Sequence, residues 1–149
     1  MSQETFDKAY PHLVAITAAL GYFLFLNQFK EYVVHPNMKE LLTASATISS
    51  IAVGFLATSK ATLLSINNSR VVKWMKDGKV YNTLIDYFMS AVHYCMGAAV
   101  YSAMLLLVNF TKSSQTNLVL VTGWVFLSVG SLLASYRVIR LYSYILRKN

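Results

Sequence analysis

The chain has 149 residues, of which 56% are apolar and only 13% charged, with a formal net charge of +7. The apolar residues come in long blocks rather than in alternation, so almost nothing remains for a soluble domain, and one compact unit is expected over residues 1–149. A single cysteine, Cys95, excludes a two-cysteine redox relay and any cysteine-rich metal site.

A membrane-crossing helix needs roughly 20 mostly apolar residues, and four segments qualify. The first runs from about 11 to 29. The residues before it, MSQETFDKAY, carry more acid than base and do not resemble a cleavable leader. They are expected to form a short helical lead-in at the membrane surface, with Pro11 in the first turn of the span, where its missing donor does no harm. His35-Pro36-Asn37 breaks the chain before the second span, at about 41–66. On that span Thr43, Thr47, Ser50, Gly54 and Thr58 recur at steps of three and four, which keeps them on one helical face.

A basic loop follows over 67–79, with Arg70, Lys73, Lys76 and Lys79 around Trp74 and a turn at Lys76-Asp77-Gly78-Lys79. The third span, about 80–108, has the same rhythm in Asp86, Ser90, His93, Gly97 and Tyr101. The fourth, about 118–136, has Ser128, Ser131 and Ser135 on one side with Gly123 and Gly130 beside them, a packing seam. Its helix is expected to continue into a tail over 137–149 that carries Arg137, Arg140 and Arg147.

Lys and Arg in short loops stay on the cytoplasmic side. The central loop and the tail hold most of the basic residues, while the first connection is balanced and the third holds only Lys112. The expected topology is therefore four helices with both termini cytoplasmic, an all-α polytopic bundle that completes itself as a homo-oligomer, with a tetramer as the guess. The Asn67 and Asn109 glycosylation patterns carry no weight, since one falls on the cytoplasmic side and the other hugs the membrane.

Ionisable groups within a span are costly and mark pathways, relays or pairs. If the second and third spans form a hairpin, Lys60 lies level with Asp86 and Val53–Gly54 level with His93. Lys60 and Asp86 are then candidates for an intramembrane ion pair. The polar faces of the two spans have an ordinary explanation in close helix packing. Their other reading is a hydrated conduit, with Asp86, Ser90, His93, Gly97 and Tyr101 beside Thr43, Thr47, Ser50, Gly54 and Thr58. Arg70, Lys73, Trp74, Lys76, Lys79, Arg137, Arg140 and Arg147 are explained by topology and anionic headgroups. They also suit a cytoplasmic oligonucleotide or protein regulator, since aromatics stack on bases and cations hold phosphates. No nucleophile motif, phosphate-cradling loop or metal-ligand cluster is present in the pattern, so no enzyme, cofactor or metal is expected.

The Ser/Thr-rich second span SATISSIAVGFLATSK, the basic loop SRVVKWMKDGKV and the polar third span together resemble the small four-span membrane proteins of phage exclusion and anti-phage defence. These include the lambda-type superinfection-exclusion membrane protein and channel effectors paired with a nucleotidyltransferase. The resemblance covers about 41–108 and implies an oligomeric ion channel of the bacterial inner membrane, released by a cytoplasmic partner or nucleotide signal. Lambda-type chains share no match to Asp86 and His93. Two other classes compete with the channel. One is a small proton-coupled transporter using Asp86 and His93, and the other is a non-catalytic scaffold or holin-like protein.

Overall fold

The computed structural model describes residues 3–29, 37–65, 80–108 and 115–147. Those residues form four helices: α1 (Gln3–Phe29), α2 (Met38–Ser65), α3 (Val80–Leu106) and α4 (Gln115–Arg147). Each is long and apolar enough to cross a membrane, over Ala9–Gln28, Met38–Ser65, Tyr81–Leu106 and Gln115–Ser143. This is the form of an integral membrane protein, because a helix satisfies its own backbone polar groups where lipid offers no partners.

One boundary differs from the sequence expectation. The separate lead-in does not exist, because α1 is continuous from Gln3 and carries Pro11 in its interior. Proline removes one backbone bond there, a loss that helices in membranes tolerate when neighbours pack around the site. Pro11 is fully buried. At the other end of the chain, α4 runs without a break past residue 136 to Arg147.

Neighbours in space follow neighbours in sequence except at α1. α2 packs along α3, α3 along α4, and α4 along α1, whereas α2 only brushes α4. The order across the molecule is thus α2–α3–α4–α1, and the consecutive helices α1 and α2 form no substantial interface. α1 docks through small residues at steps of four, Pro11, Ala15 and Ala19, all buried. Small side chains let two helix backbones approach closely, the main source of packing energy in lipid. Its opposite face shows Leu13, Ile16, Leu20, Leu24 and Phe25, each between 45% and 63% exposed.

The core has two centres. One gathers Leu56 and Leu63 of α2, Leu84, Phe88, Ala91 and Cys95 of α3, and Ala134 and Val138 of α4. The other, toward the opposite ends of the same helices, gathers Met38, Leu42, Leu105 and Val121. On α3 the buried positions Leu84, Phe88, Ala91, Cys95, Ala98, Ser102 and Leu105 alternate in steps of four and three. That 3.5-residue period is the signature of helices packed at a shallow crossing angle.

Candidate functional site: two faces of the third helix

α3 packs against both α2 and α4, and its remaining side chains sort into a face turned to α4 and an exposed outer face. The α4 side is organised by tyrosines one heptad apart. Tyr101 donates its hydroxyl to the Leu120 carbonyl at 3.1 Å and lies over Gly123. Tyr94 lies over Gly130, where an added Cβ would come within 2.4 Å of the ring. Tyr87 lies under the Arg137 guanidinium, 3.7 Å from ring centroid to charge, a cation–π contact. Gly123, Gly130 and Arg137 are also one heptad apart, so the two antiparallel helices stay in step over the whole seam.

Gly130 does more than admit a ring. The Tyr94 hydroxyl is hydrogen-bonded to His12 Nδ1 on α1, with the two rings tilted at 45° and 5.3 Å apart. Tyr94 therefore crosses the α4 backbone at the one residue that leaves room, and ties α3 to a helix on the far side. This places His12 at the level of Tyr94, deeper than the near-surface position its number in the chain implies. The level follows from α1 beginning at Gln3 rather than at Pro11.

The serines expected to form a seam are also within the subunit. Ser131 is buried and donates to the Ser128 carbonyl at 2.8 Å, and Ser135 Oγ meets Cys95 Sγ at 3.4 Å. Nearby, Trp124 donates to Ser102 Oγ at 2.9 Å, and Ser102 donates to Ser45 of α2 at 3.3 Å. These links join three helices through one buried serine.

The outer face of α3 contains Asn82, Asp86, Met89, His93, Met96 and Val100, all exposed and again in alternating steps of four and three. His93 is the middle residue of α3, about 20 Å from either end at 1.5 Å per residue. Asp86 is six residues in, about 9 Å from the end where α3 begins. The sequence grouping of Asp86, Ser90, His93, Gly97 and Tyr101 therefore divides. Asp86 and His93 point outward, Gly97 meets Leu127 of α4, Tyr101 belongs to the seam, and Ser90 is half-buried.

His93 Nδ1 is 2.6 Å from the Met89 carbonyl of its own helix, so that nitrogen is a donor. A neutral ring then presents Nε2 outward as an acceptor, and a protonated ring presents it as a donor. Lys60 of α2 points its ammonium at the Met89 thioether, 2.9 Å away. A thioether is a weak acceptor for a full charge. Lys60 is level with Met89, one turn along α3 from Asp86, so the hairpin register is within a turn of the sequence expectation.

The Ser/Thr stripe of α2 is also on the outside. Thr43, Thr47, Ser50, Gly54 and Thr58 are all exposed, and nothing lies within 4 Å of a Cβ placed on Gly54. Thr43, Thr47 and Thr58 donate their hydroxyls back to carbonyls of α2 at 2.9 Å. That satisfies each donor within the helix and leaves hydroxyl lone pairs facing outward.

Two contacts fix where this stripe points. Ser45 reaches the buried row of α3 at Ser102, and Lys60 reaches the exposed row at Met89. At 3.6 residues per turn these two positions are roughly 60° apart on α2, and the hydroxyl stripe is centred roughly 150° from them, on the side of α2 turned away from α3. Ile48 (62% exposed) and Phe55 (63%) are turned toward another side.

Of the basic residues singled out from sequence, Arg70, Lys73, Trp74, Lys76 and Lys79 lie outside the described residues, and Arg147 ends α4. Arg140 is exposed, while Arg137 is drawn between α3 and α4 by Tyr87. Among the described residues, no three His, Cys, Asp or Glu side chains stand close enough together to hold a metal ion. Compared with protein-family models, curated proteins and solved structures, the chain matches none of them.

Proposed function

We propose that this chain is the subunit of a homo-oligomeric ion channel whose conduction path runs along the outer face of α3. The observation that carries this reading is the exposure of Asp86 and His93 on a single copy, inside a helix suited to cross the membrane. A carboxyl and an imidazole turned to acyl chains are costly, and such groups instead face a bundle interior or water. The exposed hydroxyl row of Thr43, Thr47, Ser50 and Thr58 on α2 supplies further acceptors suited to a partly dehydrated cation where a second copy brings it to the path. Asp86 nearer one mouth and His93 at mid-depth are the two charge-bearing stations of the path.

The channel reading agrees with the resemblance to phage-exclusion and defence membrane proteins, and with a bacterial inner membrane as its setting. The basic loop and the Arg140 end of α4 are the proposed receiving surface for a cytoplasmic partner or nucleotide signal. A second reading, proton-coupled transport, draws on His93, whose Nδ1 is held by the Met89 carbonyl while the ring stays exposed at mid-depth.

The experiment is planar-bilayer recording of the purified full chain with paired Asp86→Asn and Thr47→Leu variants. Discrete conductance that falls in both variants is expected. Conductance indifferent to both would place the path elsewhere, and proton-coupled solute uptake lost in His93→Gln would favour the transporter.

A further inference from the structure

The exposed apolar surface is not of one composition. On α1, α2 and α4 its large side chains are leucine, isoleucine, valine, phenylalanine and tyrosine. On α3 they are Met89, Met96 and Met104, with only Val100 and Leu107 besides. Every exposed methionine among the described residues is thus on α3, and Met38 of α2 is buried. Covering a helix against acyl chains needs only hydrocarbon, which leucine supplies equally well. What methionine adds is a soft, polarisable sulfur with lone pairs to give.

Met89, His93 and Met96 are four and three residues apart, so at 3.6 residues per turn all three lie within about 60° of one another on the outer face. Long side chains on a helix lean back toward its first residue, which carries Met96 toward His93 and His93 toward Met89. The bond from His93 Nδ1 to the Met89 carbonyl, at 2.6 Å, also fixes the tautomer. A carbonyl only accepts, so Nδ1 carries the proton and the neutral ring has its lone pair at Nε2. An imidazole pinned through its other nitrogen to a backbone carbonyl is the usual outer-shell arrangement of a metal-ligating histidine. Here a thioether stands on either side of it along the helix.

A second observation comes from α2. Lys60 holds its ammonium 2.9 Å from the Met89 sulfur, so that sulfur already faces a positive charge. The match is poor, because an ammonium is a hard cation and a thioether a weak acceptor for it. A soft cation would be held better by the same atom. Thioether and imidazole ligands together suit copper(I), whereas magnesium, calcium and manganese prefer oxygen donors. All three ligands are neutral, so the site leaves the ion's charge uncompensated, and within a span one charge costs far less than two.

We propose that Met89, His93 and Met96 form a binding site for a soft monovalent cation of the copper(I) class, held by the two thioether sulfurs and His93 Nε2. Lys60 competes for the Met89 sulfur and gives way when the ion binds. Met104 takes no part, being eight residues beyond Met96, about 12 Å along the axis. The site needs neither a second copy nor conduction, and so does not rest on the channel reading.

The test is calorimetric titration of the purified full chain in detergent with silver(I), the redox-stable analogue of copper(I), in chloride-free buffer. Every chain carries Cys95→Ala, because that free thiol is itself a soft ligand. One silver ion per chain is expected. Combining Met89→Leu with Met96→Leu should weaken binding at least about tenfold, as should His93→Leu alone, while Met104→Leu leaves it unchanged. Leucine conserves the volume of methionine, so these chains should keep their helicity. Lys60→Met removes the competing ammonium and adds a sulfur, and should tighten binding by about tenfold.

A measurement on the Cys95→Ala chain without further substitution completes the test. With methionine methyl groups labelled for NMR, the Met89 and Met96 signals should move on adding silver and the Met104 signal should not. No silver binding, or equal affinity with and without the paired leucines, overturns the inference. So does a shift of Met104 without Met89 and Met96. Equal or weaker binding by Lys60→Met overturns the placement of the ion at Met89. Silver binding without conductance would refute the channel and leave the site standing. Conductance without silver binding would do the reverse.

Discussion

The two sides of α3 have the same rhythm and opposite fates. Toward α4, Tyr87, Tyr94 and Tyr101 step by heptads and find Arg137, Gly130 and Gly123 waiting at the same interval. Away from α4, Asp86, Met89, His93, Met96 and Val100 keep an equally regular period and remain exposed, with Lys60 of α2 against Met89. A seven-residue rhythm therefore reports that a helix face is built for a partner, but not whether that partner is in the same molecule. The chemistry of the face decides. Aromatics over glycines close a seam within the chain, whereas exposed ionisable groups at bilayer depth are what the proposed channel would turn toward water.

The sharpest way to break this contrast is at Gly130. Gly130→Leu is expected to prevent the α3–α4 seam from closing, because even a Cβ meets the Tyr94 ring at 2.4 Å. Gly130→Ala should lower stability by about 1–3 kcal/mol, the usual cost of overpacking. Thermal unfolding in detergent measures both, and adding Tyr94→Ala to Gly130→Ala should recover part of the loss. If Gly130→Ala is silent, the seam is looser than described.

Next in size is the outer face. Asp86→Leu is expected to leave the subunit's helicity and melting intact while altering assembly or conductance, since its side chain is outside the subunit core. Equal damage to subunit stability and to assembly would erase the distinction between the two faces.

Smaller effects refine the seam. Trp124→Phe should cost about 0.5–1.5 kcal/mol through loss of the 2.9 Å bond to Ser102. Tyr94→Phe should cost a similar about 0.5–1.5 kcal/mol by releasing His12. A cycle with His12→Ala then separates the bond from ring packing, and coupling near zero would mean that Tyr94 is held by Gly130 alone. The least effect is expected from Gly21→Ala, which is open to its surroundings and should be neutral or gain a few tenths of a kcal/mol in helix propensity.

Much of the architecture was legible because lipid leaves few choices. Blocks of apolar residues of the right length become helices, and α2 and α3 pair with a register within one turn of the value expected for a hairpin. The stripe of Thr43, Thr47, Ser50, Gly54 and Thr58 was legible as one face for the same geometric reason. What the face meets was not, since periodicity has no term for the identity of a neighbour.

The tyrosine seam went unread for a different cause. Aromatics scattered along spans look like interfacial anchors, and only pairing the interval of Tyr87, Tyr94 and Tyr101 with that of Gly123, Gly130 and Arg137 reveals a ladder. Counting Arg137 with the basic tail was natural for the same reason, since charge next to a span end reads as topology until a ring is found beneath it. The His12–Tyr94 bond spans 82 residues and has no local signature at all.

The position of α1 has a consequence for how the molecule is made. Of the four helices α1 comes first in the chain, yet its main neighbour is α4, two helices later. Its tether is a tyrosine of α3 that reaches it by passing over Gly130 of α4. The surface that seats α1 therefore does not exist until α3 and α4 have both been made and have met.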